Sequence, residues 1–265
     1  NELKKRIIES GGFCNSHAHF DRACTISRED LKETVNNHLF EKWKLVDKFK
    51  RKATKADYYQ NFSYALAQQS KSGVSSCLSF VDVDPICEYR ALDAAISVKE
   101  LATFLGIDFK IACQTLKGVI DIQSRRLLVN RLDVIGSLPK VDRGREEEHL
   151  DIVMSWAKQT GKRLHVHVDQ LNDVAEKETE LLARKTMLFG LEGRVTAVHS
   201  ISLAAHPKKY RNEVYKMCRD AGLSFITCPT AWIDHPRSEN LSVTHNSITP
   251  VEELIENELL VALGT

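Results

Sequence analysis

The sequence has no excess of either charge. In 265 residues, 37 Lys+Arg stand against 36 Asp+Glu, for a formal net charge of +1. A nucleic-acid partner would call for a concentrated basic face, so none is expected. No apolar run approaches the roughly 20 residues that cross a bilayer. The opening N-E-L-K-K-R-I-I-E-S holds no apolar h-region, so neither a membrane span nor a secretory signal is expected. No C-x-x-C pair occurs among the seven cysteines. An odd number without paired spacing excludes a disulfide framework and a zinc ribbon, and it fits reduced thiols in the cytoplasm. Six prolines leave no Pro-rich linker. There is no internal repeat, no G-x-G-x-x-G after the first predicted strand and no G-x-x-x-x-G-K-[ST], so dinucleotide and P-loop readings lose their main support.

What is present is alternation. Strands are predicted at Phe13–His19, Ser75–Val83, Phe109–Thr115, Leu132–Leu138, Arg163–Val168, Arg194–Val198, Leu223–Cys228 and Leu259–Gly264. Between them lie a long helix-like stretch at Ser27–Ser70 and helices at Cys87–Leu105, Ile120–Asn130, Arg145–Thr160, Val174–Phe189, Pro207–Ala221 and Pro250–Glu258. Eight βα units in about 250 residues point to an α/β fold, a (β/α)8 TIM barrel, over an open doubly wound sheet.

The ten histidines carry the functional signal. His17 and His19 end the first strand as H-A-H, and the strand period of two puts both imidazoles on one face. His165 and His167 repeat the spacing in the fifth strand, and His199 ends the sixth. C-terminal strand ends ring the functional mouth of such a barrel, and imidazole suits zinc or ferrous iron. His165, deeper in its strand, is read as a packing or supporting residue. His38, His149 and His206 are read as solvated. His235 and His245 are read as ordinary loop residues, Lys140 as an exposed lysine, and Trp43 and Trp156 as packing residues. A barrel without metal, its histidines satisfied by backbone groups, is the bland alternative.

Five segments resemble the amidohydrolase superfamily, and within it the cytosine-deaminase branch. These are G-F-C-N-S-H-A-H-F-D (Gly12–Asp21), H-V-D-Q (His167–Gln170), R-V-T-A-V-H-S (Arg194–Ser200), A-G-L-S-F-I-T-C-P-T (Ala221–Thr230) and V-E-E-L-I-E-N-E-L-L-V-A-L-G-T (Val251–Thr265). The resemblance implies one divalent metal, zinc or iron, held by His17, His19 and His167. His199 would serve the attacking water or the oxyanion. It implies a catalytic aspartate directly after the eighth strand, at the position following Thr265. It also implies a small β-sandwich around the barrel, so residues 1–265 are expected to be the barrel core of a longer protein. Asp21 and Asp169 would accept hydrogen bonds that fix the metal-bound histidines.

Two positions depart from the branch. The proton-shuttling glutamate is replaced by Gln170, and an amide cannot transfer a proton at neutral pH. The third-strand glutamine that reads a pyrimidine edge aligns near Leu116, with Gln114 two residues earlier. Thr230, Trp232 and Asp234 would form a substrate wall, the tryptophan stacking on a planar heterocycle. The expected function is hydrolysis of a non-peptide C–N bond, by deamination or amide hydrolysis, in a small and cyclic nitrogenous substrate. The alternative is a relative that binds metal or ligand without turnover. The resemblance also implies possible homo-oligomers.

Overall fold

The computed structural model describes residues 2–27, 29, 30, 32, 39–114, 116–120, 128–230 and 248–265. The fold is a (β/α)8 barrel. Its eight strands are ordered as in the sequence: β1 Phe13–Ala18, β2 Val74–Asp82, β3 Asp108–Gln114, β4 Val134–Ser137, β5 Leu164–Val168, β6 Val195–His199, β7 Ser224–Thr227 and β8 Leu260–Leu263. The pairs β1–β2, β2–β3, β4–β5, β5–β6, β6–β7 and β7–β8 are parallel. The helices bounded within the described residues are α1 Glu2–Glu9, α2 Leu39–Lys52, α3 Lys55–Lys71, α4 Arg90–Ser97, α5 Lys99–Phe104, α6 Glu146–Thr160, α7 Glu178–Phe189, α8 Lys208–Asp220 and α9 Val251–Glu256. Among the described residues no helix is long and apolar enough to cross a membrane.

The chain divides into two compact units. The first comprises residues 1–116 with Thr265 and carries β1–β3. Its helix α3 starts at a reciprocal capping box: Thr54 Oγ1 accepts from the Asp57 N–H, and the Asp57 carboxylate accepts from the Thr54 N–H. Such a box satisfies two of the donors a helix start leaves unpaired. Helix α3 buries Tyr58, Phe62 and Leu66. Phe109 of β3 meets Phe62 and Phe20 at ring distances of 6.1 and 6.2 Å. The second unit, residues 117–264, carries β4–β8. Its core joins Val166 and Val168 of β5 to Leu150, Val153 and Met154 of α6, Leu182 of α7, and Val214 and Tyr215 of α8. Helix α6 ends at Gly161 with φ +73°, a left-handed turn glycine adopts without a Cβ penalty.

Several expectations need correction. The helix expected over Cys87–Leu105 is two helices that meet at Val98, which is buried and caps both. Helix α1, which buries no residue, was not expected. The helix expected at Ile120–Asn130 falls largely outside the described residues, and 128–130 form a 3-10 turn. His149 and His206 are buried, not solvated. His149 adjoins the apolar stripe of α6 and finds two polar partners there. His206 lies against the Tyr210 ring at 4.3 Å, its Nε2 at 2.8 Å from the Glu176 carbonyl. Lys140 is three-quarters buried and ion-paired to Glu176 at 3.0 Å.

Candidate metal centre

In the first unit, β1 delivers His17, which is 1% exposed. His19 follows one residue past the strand, at the start of a 3-10 turn over Phe20–Arg22. The two Nε2 atoms are 3.2 Å apart. Both rings lie over Phe80 of β2, at 4.6 and 5.6 Å. Two nitrogens each about 2.0–2.1 Å from one tetrahedral zinc would stand roughly 3.4 Å apart. The pair therefore has the spacing of two ligands to one ion. Past β8, the Thr265 N–H donates to the His17 carbonyl at 2.7 Å, and Asn15 Nδ2 donates to Thr265 Oγ1 at 3.0 Å.

The same unit holds a buried charge network that the sequence reading did not single out. Asp82 ends β2. It accepts from the Arg22 guanidinium at 2.7 Å, pairs with Lys50 at 2.8 Å, and accepts from Gln114 Nε2 at 3.2 Å. Lys50 also reaches Asp84 at 2.6 Å. Burial alone would raise the Asp82 carboxyl, but Arg22 and Lys50 outweigh it and hold Asp82 well below the usual carboxylate range. Asp21 accepts the Asp82 N–H at 3.0 Å through Oδ2. Burial, then the neighbouring Asp82 charge, pushes its carboxyl up to about 7. The available signal was F-V-D-V-D closing a strand, with D-R just after H-A-H-F: four charged groups at two strand ends.

Gln114 is 4% exposed, and its Oε1 is a buried acceptor with no hydrogen-bond partner among the described residues. Asp82 is ionised and can only accept, so the amide must turn Nε2 toward it and present Oε1 away. Register pairs Asp82 with Gln114 and Phe80 with Ala112, so Gln114 shares the face of Phe80 on which His17 and His19 rest. Leu116 is buried and offers no polar atom.

In the second unit, His167 of β5 is 2% exposed, and its Nδ1 lies 3.2 Å from the Ser137 carbonyl. A carbonyl only accepts, so the proton is on Nδ1 and the lone pair on Nε2. His199 ends β6, with its ring 5.4 Å from that of His167. Its φ is +79°, and that of Ser200 is +49°. Two successive non-glycine residues in the left-handed region hold backbone strain. The His199 carbonyl accepts from Thr249 Oγ1 at 2.6 Å. Asp169 uses its carboxylate at the start of α7, accepting the N–H groups of Glu178 and Thr179 at 2.8 and 3.1 Å. Gln170 is half-buried, with Oε1 buried and without a hydrogen-bond partner among the described residues. His165 has its pKa lowered to about 4 by burial, with Arg163 adding to the effect. Trp232 and Asp234, with His38, His235 and His245, lie outside the described residues; Thr230 is exposed.

Around Asp169 the carboxyls of Glu178 and Glu176 are pushed up, to about 8 and about 7, chiefly by burial and then by the Asp169 charge. A carboxyl raised in the folded state binds its proton more tightly there than in the unfolded chain. Its contribution is therefore greatest at acid pH and is lost as pH rises toward the folded value. Urea midpoints should fall between about pH 5 and pH 8. Glu178→Gln keeps an acceptor for the Asp169 N–H and removes the charge. It should flatten that decline and raise Tm at pH 8 by roughly 2–4 °C; an unchanged pH profile would contradict this.

Among the described residues, the first unit offers the donor atoms of His17 and His19, and the second those of His167, His199 and Cys228. Cys228 was not anticipated; its buried thiol is pushed up to about 12, and C-P directly after the seventh strand was the available signal. Three imidazoles form a donor set suited to a divalent borderline metal.

Parallel strands in sequential order carry imidazoles at the ends of β1, β5 and β6. No protein-family model matches the chain. It is 43% identical over 259 residues to an uncharacterized protein of Haemophilus influenzae (strain ATCC 51907 / DSM 11121 / KW20 / Rd), covering 96% of this chain and 94% of that one. It is 26% identical over 232 residues to the N-isopropylammelide isopropyl amidohydrolase of Pseudomonas sp. (strain ADP), covering 84% of this chain and 57% of that enzyme. The crystal structure of 5-methylcytosine deaminase from Klebsiella pneumoniae liganded with 5-fluorocytosine superposes with a TM-score of 0.85 at 25% identity, over 96% of this chain and 62% of that one. The chain thus spans about three fifths of the length of these two enzymes. It belongs to the amidohydrolase superfamily.

Proposed function

We propose that the protein hydrolyses a C–N bond outside a peptide, in a small nitrogenous ring, with one divalent metal held by His17, His19 and His167. The observation that carries this reading is the pair of Nε2 atoms 3.2 Å apart at the end of β1. Its support is the third imidazole, whose proton is fixed on the far nitrogen. When bound, zinc or iron would supply a water acidified toward neutral pH. His199 would donate a hydrogen bond to the oxygen that gains negative charge. Gln114 Oε1 would accept from a ring N–H, because Asp82 already takes the amide's donor side. Asp21 would support the histidines from outside, whereas the Asp169 carboxylate is taken up at the start of α7.

A small flanking β-sandwich, a cytoplasmic location and self-association belong to the same proposal. Zinc or iron reconstitution should give about one metal per chain. Ammonia should then appear with at least one of cytosine, isocytosine, an aminotriazine or a cyclic urea. A protein that takes up no zinc, iron or manganese would overturn the reading.

Gln170 favours a second reading, in which the chain binds metal or ligand without turnover. Gln170→Glu restores a group able to carry a proton to the ring. It should raise deamination of a cytosine-type substrate by at least about 100-fold. Metal uptake with no such gain would count against a lost proton shuttle.

A further inference from the structure

Ser137, the last residue of β4, uses its two oxygens in different directions. Its carbonyl faces His167 Nδ1 at 3.2 Å. Its hydroxyl lies 2.8 Å from His149 Nε2, and His149 Nδ1 lies 2.6 Å from Asp142 Oδ2. Ser137 and His149 are each 1% exposed. The carboxylate can only accept, so the His149 proton sits on Nδ1 and Nε2 accepts from the Ser137 hydroxyl. Asp142 is fixed in turn by the Val119 N–H, which donates to the same Oδ2 at 2.9 Å. Gly118, at φ +78°, leaves the room this needs, since a Cβ there would overlap Asp142 Oδ1. Burial raises the Asp142 carboxyl, but its bonds to His149 and Val119 prevail and hold it below its usual value.

Serine, histidine and aspartate in this order also describe a nucleophilic triad. Burial argues against that use here. No substrate reaches the Ser137 hydroxyl, and the group that meets a metal-ligating ring is its carbonyl.

We propose that Asp142, His149 and Ser137 form a hydrogen-bond relay that positions His167 for a divalent metal. The relay fixes Ser137, the fixed carbonyl keeps the His167 proton on Nδ1, and Nε2 keeps its lone pair for the ion. The three are positioning residues, and the inference rests on the metal-site reading above. Partners of this kind, when removed from metal-bound histidines, typically cost 10–100-fold in affinity.

The test is zinc affinity by chelator competition in Ser137→Ala and Asp142→Asn, beside Val153→Ala as a packing control. Val153 lies in the core of the second unit and has no polar side-chain atom to join the relay. Both relay variants should lose about 10-fold or more in affinity, whereas Val153→Ala should lower Tm and leave affinity unchanged. Relay variants within twofold of the parent would overturn the proposal. Long-range 1H–15N correlation on metal-free protein gives a readout independent of binding. His167 should be an Nδ1–H tautomer in the parent and a mixture in both relay variants. A parent that binds no zinc would sink the metal-site reading alone. The tautomers would then decide the relay, and an unchanged Nδ1–H in both variants would overturn it.

Discussion

His167→Asn should strip the protein of its metal while leaving it folded. Zinc affinity should fall by more than about 100-fold, beyond what loss of a supporting partner costs, and any ammonia release should fall with it. Asparagine is polar and smaller than histidine, so the Ser137 carbonyl can keep a donor. The thermal midpoint of the metal-free protein should therefore change far less than the affinity. The reason for so large an effect is arithmetic. The proposed three-imidazole set without His167 keeps only the nitrogens of His17 and His19 at the end of β1, and structural and catalytic zinc sites use at least three protein ligands. Equal affinity in parent and variant would remove His167 from the site.

Asp82→Asn should be the most destabilising single-atom exchange in the first unit. The side chain is 1% exposed and faces both Arg22 and Lys50, the latter 2% exposed. Removing one partner from a buried pair leaves charge stranded in a medium that solvates it poorly, which typically costs about 3–5 kcal/mol. Asp84 still pairs with Lys50, so the loss falls mainly on Arg22. Urea denaturation of the metal-free protein measures it directly. The control is Lys44→Ala, which breaks an ion pair whose side chains are 72% and 51% exposed; its midpoint should stay within experimental scatter, because water and salt screen such a pair. A midpoint for Asp82→Asn no lower than the control would show that the network is not structural. The substitution also changes what Gln114 meets, so substrate selectivity should shift with stability.

The barrel was legible because alternation is a long-range pattern, repeated at eight strands and not dependent on any one boundary. The placement of His17, His19, His167 and His199 at strand ends was legible because strand ends and the period of two depend only on local backbone geometry. The role of His149 was not. The run Glu146–Glu148 before it reads as a solvated face, and nothing local announces that Ser137 and Asp142 approach the ring. Lys50 was hidden for the same reason. In a stretch rich in lysine, one ammonium looks like its neighbours until the fold brings Asp82 and Asp84 to it. Gln114 illustrates the opposite case: its place near the site was expected, but the direction of its amide follows only from the charge state of Asp82. Residues set by periodicity could be read. Residues defined by a partner far along the chain could not.

The backbone at His199 and Ser200, both at positive φ, sets stability and usefulness against each other at one position. Glycine would occupy that conformation without penalty, and asparagine at less cost than histidine. A library selected for heat resistance alone should therefore drift away from histidine at 199, whereas one selected for turnover should retain it. The imidazole at the end of β6 would persist against the preference of its own main chain, and that conflict would itself be evidence of use.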